Sequence, residues 1–136
     1  MSRAADQVWN SLVSLVWETR HEWRRRVAEA TGLPFGRVRA LRRLQNGPLA
    51  LHELAEAMSS DAPAATVAVN DLEKRGLVMR EAHPTNRRVK QVSLTPAGRR
   101  MVARVDALTE EAPPALAALP SGELAVLARM VGKLTR

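Results

Sequence analysis

The sequence predicts a mainly α-helical fold that contains one small β-hairpin. Apolar residues recur at three- and four-residue steps through most of the chain, which is typical of amphipathic helices. Strand-like alternation replaces this spacing only between residues 77 and 95. Glycines and prolines separate the segments. The expected order is four helices, a hairpin and two further helices.

Four helices are expected before the hairpin. They span residues 4–31, 34–45, 51–58 and about 62–75. Gly32 ends the first helix and Pro34 occupies the first turn of the second. Ser60 or Asp61 caps the fourth helix, and Gly76 ends it.

The hairpin joins strands at residues 77–83 and 89–95 through the polar turn Pro84-Thr85-Asn86-Arg87-Arg88, which gives it a basic tip. Thr95 then caps a helix to about Ala112, and Pro113-Pro114 breaks that helix. Ser121 is expected to cap the last helix.

Positive charge is concentrated in the middle of the chain. Residues 34–104 contain 13 Lys and Arg against 6 Asp and Glu, whereas the two flanks together contain 8 of each sign. The whole formal net charge of +7 therefore belongs to the central part. Such a concentration indicates a polyanionic partner, nucleic acid first and an anionic membrane second.

Composition excludes several other classes. The 136 residues contain no cysteine, which removes disulfides and thiolate metal sites. His21, His52 and His83 lack a metal-ligand spacing, so we expect no metal and no cofactor. We find no Gly-rich phosphate loop and no nucleophile elbow, so we expect no enzyme. The start lacks a secretory pattern and no apolar run approaches the roughly 20 residues of a membrane span, which favours a cytoplasmic protein.

Three regions follow from this order. Residues 1–33 form an N-terminal dimerisation helix, residues 34–95 the central helices and hairpin, and residues 96–136 the C-terminal dimerisation helices, all within one intertwined domain. Amphipathic helices depend on burying their apolar face. A second copy of the chain is the simplest partner for the flanks, because two-fold dimers are the commonest oligomers.

Several short motifs resemble one known family. They are Leu54-Ala55 in the third helix, LEKRGLV at residues 72–78, and LTPAG at residues 94–98. In this order and spacing the chain resembles the MarR family of bacterial transcription regulators. The resemblance implies a winged helix-turn-helix fold with flanking dimerisation helices, a homodimer and a pseudo-palindromic operator in double-stranded DNA. It also implies a repressor that is often released by a small aromatic or lipophilic ligand.

The helix at residues 62–75 is the expected recognition helix. Its inward stripe is Ala65, Val69 and Leu72, and the candidates for the DNA side are Ala64, Thr66, Val67, Ala68 and Asn70. Thr66 matches a family position that often touches DNA, but the family commonly has arginine where this chain has Val67. Without an arginine the helix lacks a bidentate reader of guanine. Either it reads bases through methyl groups and Asn70, or it docks mainly by shape.

The expected wing site consists of Asn86, Arg87 and Arg88. The negative potential of the DNA minor groove favours the insertion of arginine side chains. The alternative is a solvated hairpin. The family usually has an aspartate at the position of Asn86, and it orients the wing-tip arginine. Contacts with DNA phosphates are expected from further basic residues: Arg37, Arg39, Arg42, Arg43, Lys74, Arg75 and Lys90. Some of these can instead pair with Glu53, Glu56 or Glu73.

Trp9, Trp17 and Trp23 either line a ligand pocket or fill the dimer core. Trp17 and His21 lie one helical turn apart and are the tentative pocket residues. Two other functions stay open: a winged-helix module that binds protein through an apolar recognition helix, and a weakly specific architectural DNA-binding protein.

Overall fold

The computed structural model describes residues 2–135. Seven helices and three strands follow one another along this part of the chain: α1 Arg3–Thr31, α2 Phe35–Arg43, β1 Leu49–Ala50, α3 Leu51–Ala57, α4 Ala62–Lys74, β2 Val78–Ala82, β3 Lys90–Leu94, α5 Pro96–Glu110, α6 Pro114–Ala117 and α7 Ser121–Leu134. The predicted mainly helical fold with a β-hairpin wing is confirmed.

Helix ends follow the capping residues of the sequence. Gly32 adopts the left-handed conformation, with φ of 66°, and its N–H donates to the carbonyl of Ala28. Asp61, not Ser60, caps α4, because its carboxylate accepts from the N–H of Ala64 at 2.7 Å. The hydroxyl of Thr95 accepts from the N–H of Gly98 at 3.0 Å and so caps α5 as predicted.

The sheet is antiparallel and has the order β1-β3-β2. β2 pairs with β3 from Val78 opposite Leu94 to Ala82 opposite Lys90, which forms the predicted hairpin. β1 adds two residues on the other side of β3, where Leu49 lies opposite Val92. The sequence analysis missed β1, because two residues are too few to show alternation.

One apolar core holds the central lobe together. Leu41 of α2, Leu54 of α3 and Leu72 of α4 are fully buried, and Val92 of β3 packs against the same cluster. The start of α5 closes it at Gly98. A Cβ atom at Gly98 would lie 2.0 Å from the carbonyl oxygen of Leu77, so only glycine permits this approach.

The flanking helices bury little within this chain. Val27 is the single buried residue of α1, and no residue of α7 within the described range is buried. Large apolar side chains are exposed on the first half of α1 and along α7: Val8, Trp9, Leu15, Val16, Trp17, Val126, Met130, Val131 and Leu134. Most of the large apolar side chains that the monomer leaves uncovered therefore lie on these two helices, and Val67 of α4 and Met79 of β2 are exposed elsewhere.

One prediction near the C-terminus is wrong, and one short helix was not predicted. Ser121 is the first residue of α7, not its cap; Pro120 takes the cap position, and no side-chain oxygen caps this end. α5 ends at Glu110, before Pro113-Pro114 as predicted, but Pro114 then begins the short helix α6, because proline suits a first helical turn. Within residues 2–135, every helix is too short or too polar to cross a membrane.

Candidate nucleic-acid interface

α4 has a buried face and an exposed face, as the sequence predicted. Ala65, Val69 and Leu72 are fully buried, whereas Ala64 and Val67 are exposed, Val67 by 58%. The hydroxyl of Thr66 donates to the carbonyl of Ala62 at 2.9 Å. The exposed face of the first two turns is therefore mostly apolar and carries no charged side chain.

Ala68 does not belong to the exposed face. Its relative exposure is 2%, and it lies in the core beside Val69. Ala65, Ala68 and Leu72 follow one another at steps of three and four, which continue the buried stripe around the helix. The expectation that Ala68 contacts DNA is wrong, because its side chain faces the interior.

The wing tip carries two exposed arginines, Arg87 and Arg88. The side-chain oxygen of Asn86 accepts from the backbone N–H of Arg88 at 3.2 Å. Asn86 thus holds the backbone of the tip, and its hydrogen bond leaves the guanidinium of Arg88 free to point elsewhere. Among residues 2–135, neither arginine forms an ion pair.

Arg80 is a site residue that the sequence analysis missed. Its guanidinium donates to the side-chain oxygen of Asn70, and it lies 4.0 Å from the carboxylate of Glu73. A cation from β2 therefore lies against α4, although α4 has no arginine in its first turns. Strand alternation could have indicated this position. Arg80 and the buried Val78 are two residues apart in β2, so they share the face of the sheet that packs toward the core.

Asp71 of α4 holds two of the predicted phosphate-contacting arginines. Its carboxylate accepts from Arg37 at 3.0 Å and from Arg75 at 3.2 Å. Hydrogen bonds from Arg37 and then from Arg75 lower the pKa of Asp71 below its usual value. Both arginines thus have a structural partner, which the sequence analysis sought at Glu53, Glu56 and Glu73 instead.

Glu53 has a different role, because its carboxylate accepts from the N–H of Ala50 at the start of α3. Arg39 donates to the carbonyl of Met58 at 3.3 Å, and Arg42 lies 3.8 Å from Asp106. Three further predicted cations, which form no ion pair within the described part of the chain, are exposed: Arg43, Lys74 and Lys90.

Comparison with known proteins relates the central lobe to one family. Residues 36–90, which run from α2 into β3, match the model of the MarR family. A putative transcriptional regulatory protein for the hcr operon of Thauera aromatica is 33% identical over 86 residues, which cover 62% of this chain and 52% of that protein. The match thus spans about half the length of this relative.

Solved structures share the whole architecture. The YusO protein of Bacillus subtilis has a TM-score of 0.76 and 26% identity, and the match covers 98% of this chain and 97% of YusO. The MepR–DNA complex of S. aureus has a TM-score of 0.66 and 19% identity, and covers 92% and 99%. E. coli MarR in its apo form has a TM-score of 0.64 and 21% identity, and covers 92% and 97%. These likenesses confirm the winged-helix fold of the MarR family.

The two tentative pocket residues lie on a single helix. Trp17 and His21 are both exposed, Trp17 by 68%, and they line a shallow depression together with other residues of α1 only. A two-sided cavity of 540 Å³ lies instead between α1 and the end of α5, beside Trp23. The indole N–H of Trp23 donates to the hydroxyl of Thr109 at 3.0 Å, which fixes the ring between the two helices.

Within residues 2–135, no three histidine, aspartate or glutamate side chains come together as a metal-binding group. The predicted DNA side of the lobe, formed by α4 and the wing, offers cations, the amides of Asn70 and Asn86, and small apolar side chains. Such a surface can neutralise phosphate groups and contact the edges of bases.

Proposed function

We propose that the chain is a sequence-specific, double-stranded DNA-binding transcription regulator that acts as a homodimer. The observation that carries this proposal is the arrangement of cations on a winged-helix lobe. Arg87 and Arg88 lie at the wing tip without ion-pair partners among the described residues, and Arg80 of the wing lies against the exposed side of α4. The names of the Thauera relative and of the MepR–DNA complex support the same function.

In this proposal α4 enters the major groove and the wing reaches the adjacent minor groove. Ala64, Thr66 and Val67 present methyl groups near the start of α4, which suit contact with the methyl group of thymine. Asn70 follows on α4, and Arg80 of β2 lies against it, hydrogen-bonded to its side-chain oxygen. Arg80 thus brings to this side of α4 a positive charge that Val67 does not supply, although Glu73 at 4.0 Å partly neutralises it.

Five of the seven predicted phosphate-contacting residues fall into two groups under this proposal. Lys74, Lys90 and Arg43 are exposed and remain available to the DNA backbone. Arg37 and Arg75 are shared with Asp71, so their charge toward phosphate is partly neutralised. The first group therefore contributes more to the salt dependence of binding than the second.

A second copy of the chain is proposed to cover α7 and the first half of α1. Both helices expose continuous apolar side chains, and helices that bury nothing are marginal in water. A two-fold dimer would place its two α4 helices about 34 Å apart, one turn of DNA, on a pseudo-palindromic operator. Met130→Glu, at one of these exposed side chains, should therefore produce monomers in light scattering, whereas Arg129→Glu on the same helix should not. A dimeric Met130→Glu protein would contradict this interface.

The cavity beside Trp23 is proposed as the effector site. Leu15, Trp23 and Leu108 give it an apolar wall, and Arg26, paired with Glu111 at 2.6 Å, lies at its edge. It lies where α1 and α5 meet the DNA-binding lobe. A small aromatic or lipophilic ligand bound there would favour one spacing of the two lobes and so change operator affinity.

Repression by occupying a promoter is the simplest outcome of such binding. The test is fluorescence anisotropy of the protein on the DNA upstream of its own coding region, against a scrambled duplex of equal composition, at several salt concentrations. We expect preference for the native duplex and a steep loss of affinity as salt rises. Equal, weak binding to both duplexes would favour an architectural protein, and no binding to either would favour a module that binds protein; both results contradict the proposal.

A further inference from the structure

The loop between β2 and β3 is closed by hydrogen bonds within itself. The N–H of His83 donates to the carbonyl of Val89 at 2.9 Å, and the N–H of Val89 donates to the carbonyl of Asn86 at 3.0 Å. Pro84 restricts φ at the first position after His83. The two arginines of the wing tip therefore lie on a folded turn.

The side chain of His83 accepts hydrogen bonds from this turn. Its Nδ1 atom lies 3.1 Å from the backbone nitrogen of Thr85, 3.2 Å from that of Asn86 and 3.1 Å from the hydroxyl of Thr85. Backbone N–H groups can only donate, so Nδ1 must be the acceptor and must carry no proton. The imidazole thus satisfies two amides that no β-ladder bond uses.

Asn86 connects His83 to the wing-tip arginine. Its backbone N–H is held by the imidazole, and its side-chain oxygen accepts from the N–H of Arg88. Each bond fixes the group that makes the next one. The position of the Arg88 backbone therefore depends on His83 through Asn86.

We propose that His83 is a positioning residue for Arg88. It orders the backbone of the wing before DNA arrives, so that less conformational entropy is lost when Arg88 enters the minor groove. Asn86 is uncharged and bonds the backbone of Arg88, so neutral hydrogen bonds order this turn. The inference rests on the proposed DNA-binding function of the wing.

The test compares His83→Ala with His83→Asn. The side-chain oxygen of asparagine is separated from the backbone by the same number of covalent bonds as Nδ1 of histidine. It can therefore accept hydrogen bonds from the same two backbone N–H groups. On the upstream duplex, we expect His83→Ala to weaken binding about three- to tenfold, the loss expected when one ordered side chain becomes mobile. His83→Asn should restore most of the affinity, and His52→Ala, at an exposed histidine of α3, serves as the matched control.

A double-mutant cycle shows whether the effect passes through Arg88. In an Arg88→Ala background, His83→Ala should weaken binding no further, because the positioned group is already absent. A full additional loss in that background would overturn the proposal, and so would wild-type affinity in His83→Ala or no recovery in His83→Asn.

Hydrogen exchange of the backbone amides tests the turn without DNA. The amides of Thr85, Asn86 and Arg88 should exchange faster in His83→Ala than in the wild type, and at nearly wild-type rates in His83→Asn. Unchanged exchange in His83→Ala rejects the positioning role whatever the DNA result. The two proposals can fail separately. If the wild-type protein binds no upstream DNA but His83→Ala still speeds amide exchange, the proposed function and the DNA role of His83 are rejected, while the ordering of the turn by His83 stands.

Discussion

The proposed recognition helix α4 and the wing expose different chemistry. The exposed first turns of α4 present alanine, threonine and valine, whereas the wing presents Arg80, Arg87 and Arg88. α4 is rigid because Ala65, Ala68, Val69 and Leu72 anchor it in the core. The wing tip has no buried side chain and depends on hydrogen bonds within its own turn.

Under the proposed function, one lobe divides two tasks. The buried stripe would hold α4 in place for contacts that depend on shape and methyl groups, while exposed cations on the wing would supply attraction to phosphate and to the minor groove. The hydrogen bond between Arg80 and Asn70 joins the two regions, so the charge missing from the helix is provided by its neighbour.

The largest expected effect is at the joint between these regions. Gly98→Ala forces a Cβ atom against the carbonyl of Leu77, the residue between α4 and β2, and should destabilise the protein by roughly 3 kcal/mol. Urea denaturation measures the loss, with Gly36→Ala, where a Cβ meets open space, as the control. Equal stability of Gly98→Ala and the wild type would show that the contact is not tight.

Removing a wing arginine should reduce DNA affinity next most strongly. Arg88→Ala is expected to weaken binding by roughly 1–3 kcal/mol if the guanidinium enters the minor groove. Anisotropy titrations compare it with Arg100→Ala, an exposed arginine of α5 outside the wing. An Arg88→Ala protein with unchanged affinity would remove the wing from the interface.

Charge placed on α4 should act in both directions. Val67→Lys is expected to strengthen binding and Val67→Glu to weaken it, each by about 1 kcal/mol, the energy of two charges about 4 Å apart in water. The pair serves as its own control, because both variants replace the same exposed valine. Equal affinity of the two variants would place α4 away from the DNA.

The smallest expected effect concerns Asp71, which pairs with Arg37 and Arg75. Its pKa is lowered in the folded protein, so its contribution to stability is present above the pKa of an unfolded aspartate and is lost as pH falls through the folded value. Asp71→Asn should lower the urea midpoint slightly at neutral pH and not at strongly acidic pH. A deficit that is independent of pH would contradict the ion-pair account.

Much of the fold could be predicted from local sequence signals. Gly32, Asp61 and Thr95 mark helix ends by chemistry that acts within a few residues, and the hairpin follows from alternation. β1 was not predicted, because its two residues form a strand only by pairing with β3. Ser121 was misassigned because the dipeptide Pro120-Ser121 fits two positions of a helix start equally well.

The site was less predictable, because its contacts join distant segments. Asp71 selects Arg37 and Arg75 through tertiary packing, and no spacing in the sequence distinguishes it from Glu73. Ala68 was placed outside because a helical stripe has no sharp edge in a sequence, whereas burial decides it in the structure. Arg80 reaches Asn70 because β2 packs beside α4, and this packing is not encoded by the spacing of the two residues in the sequence.

The salt dependence of DNA binding tests the division of tasks most directly. The logarithm of the binding constant would be plotted against the logarithm of salt concentration for the wild type, for Val67→Ala and for the double variant Arg87→Ala/Arg88→Ala. We expect the slope of the double variant to be shallower by about two, one unit for each lost cation, and that of Val67→Ala to be unchanged. An unchanged slope in the double variant would contradict the claim that the wing carries the charge that binds DNA.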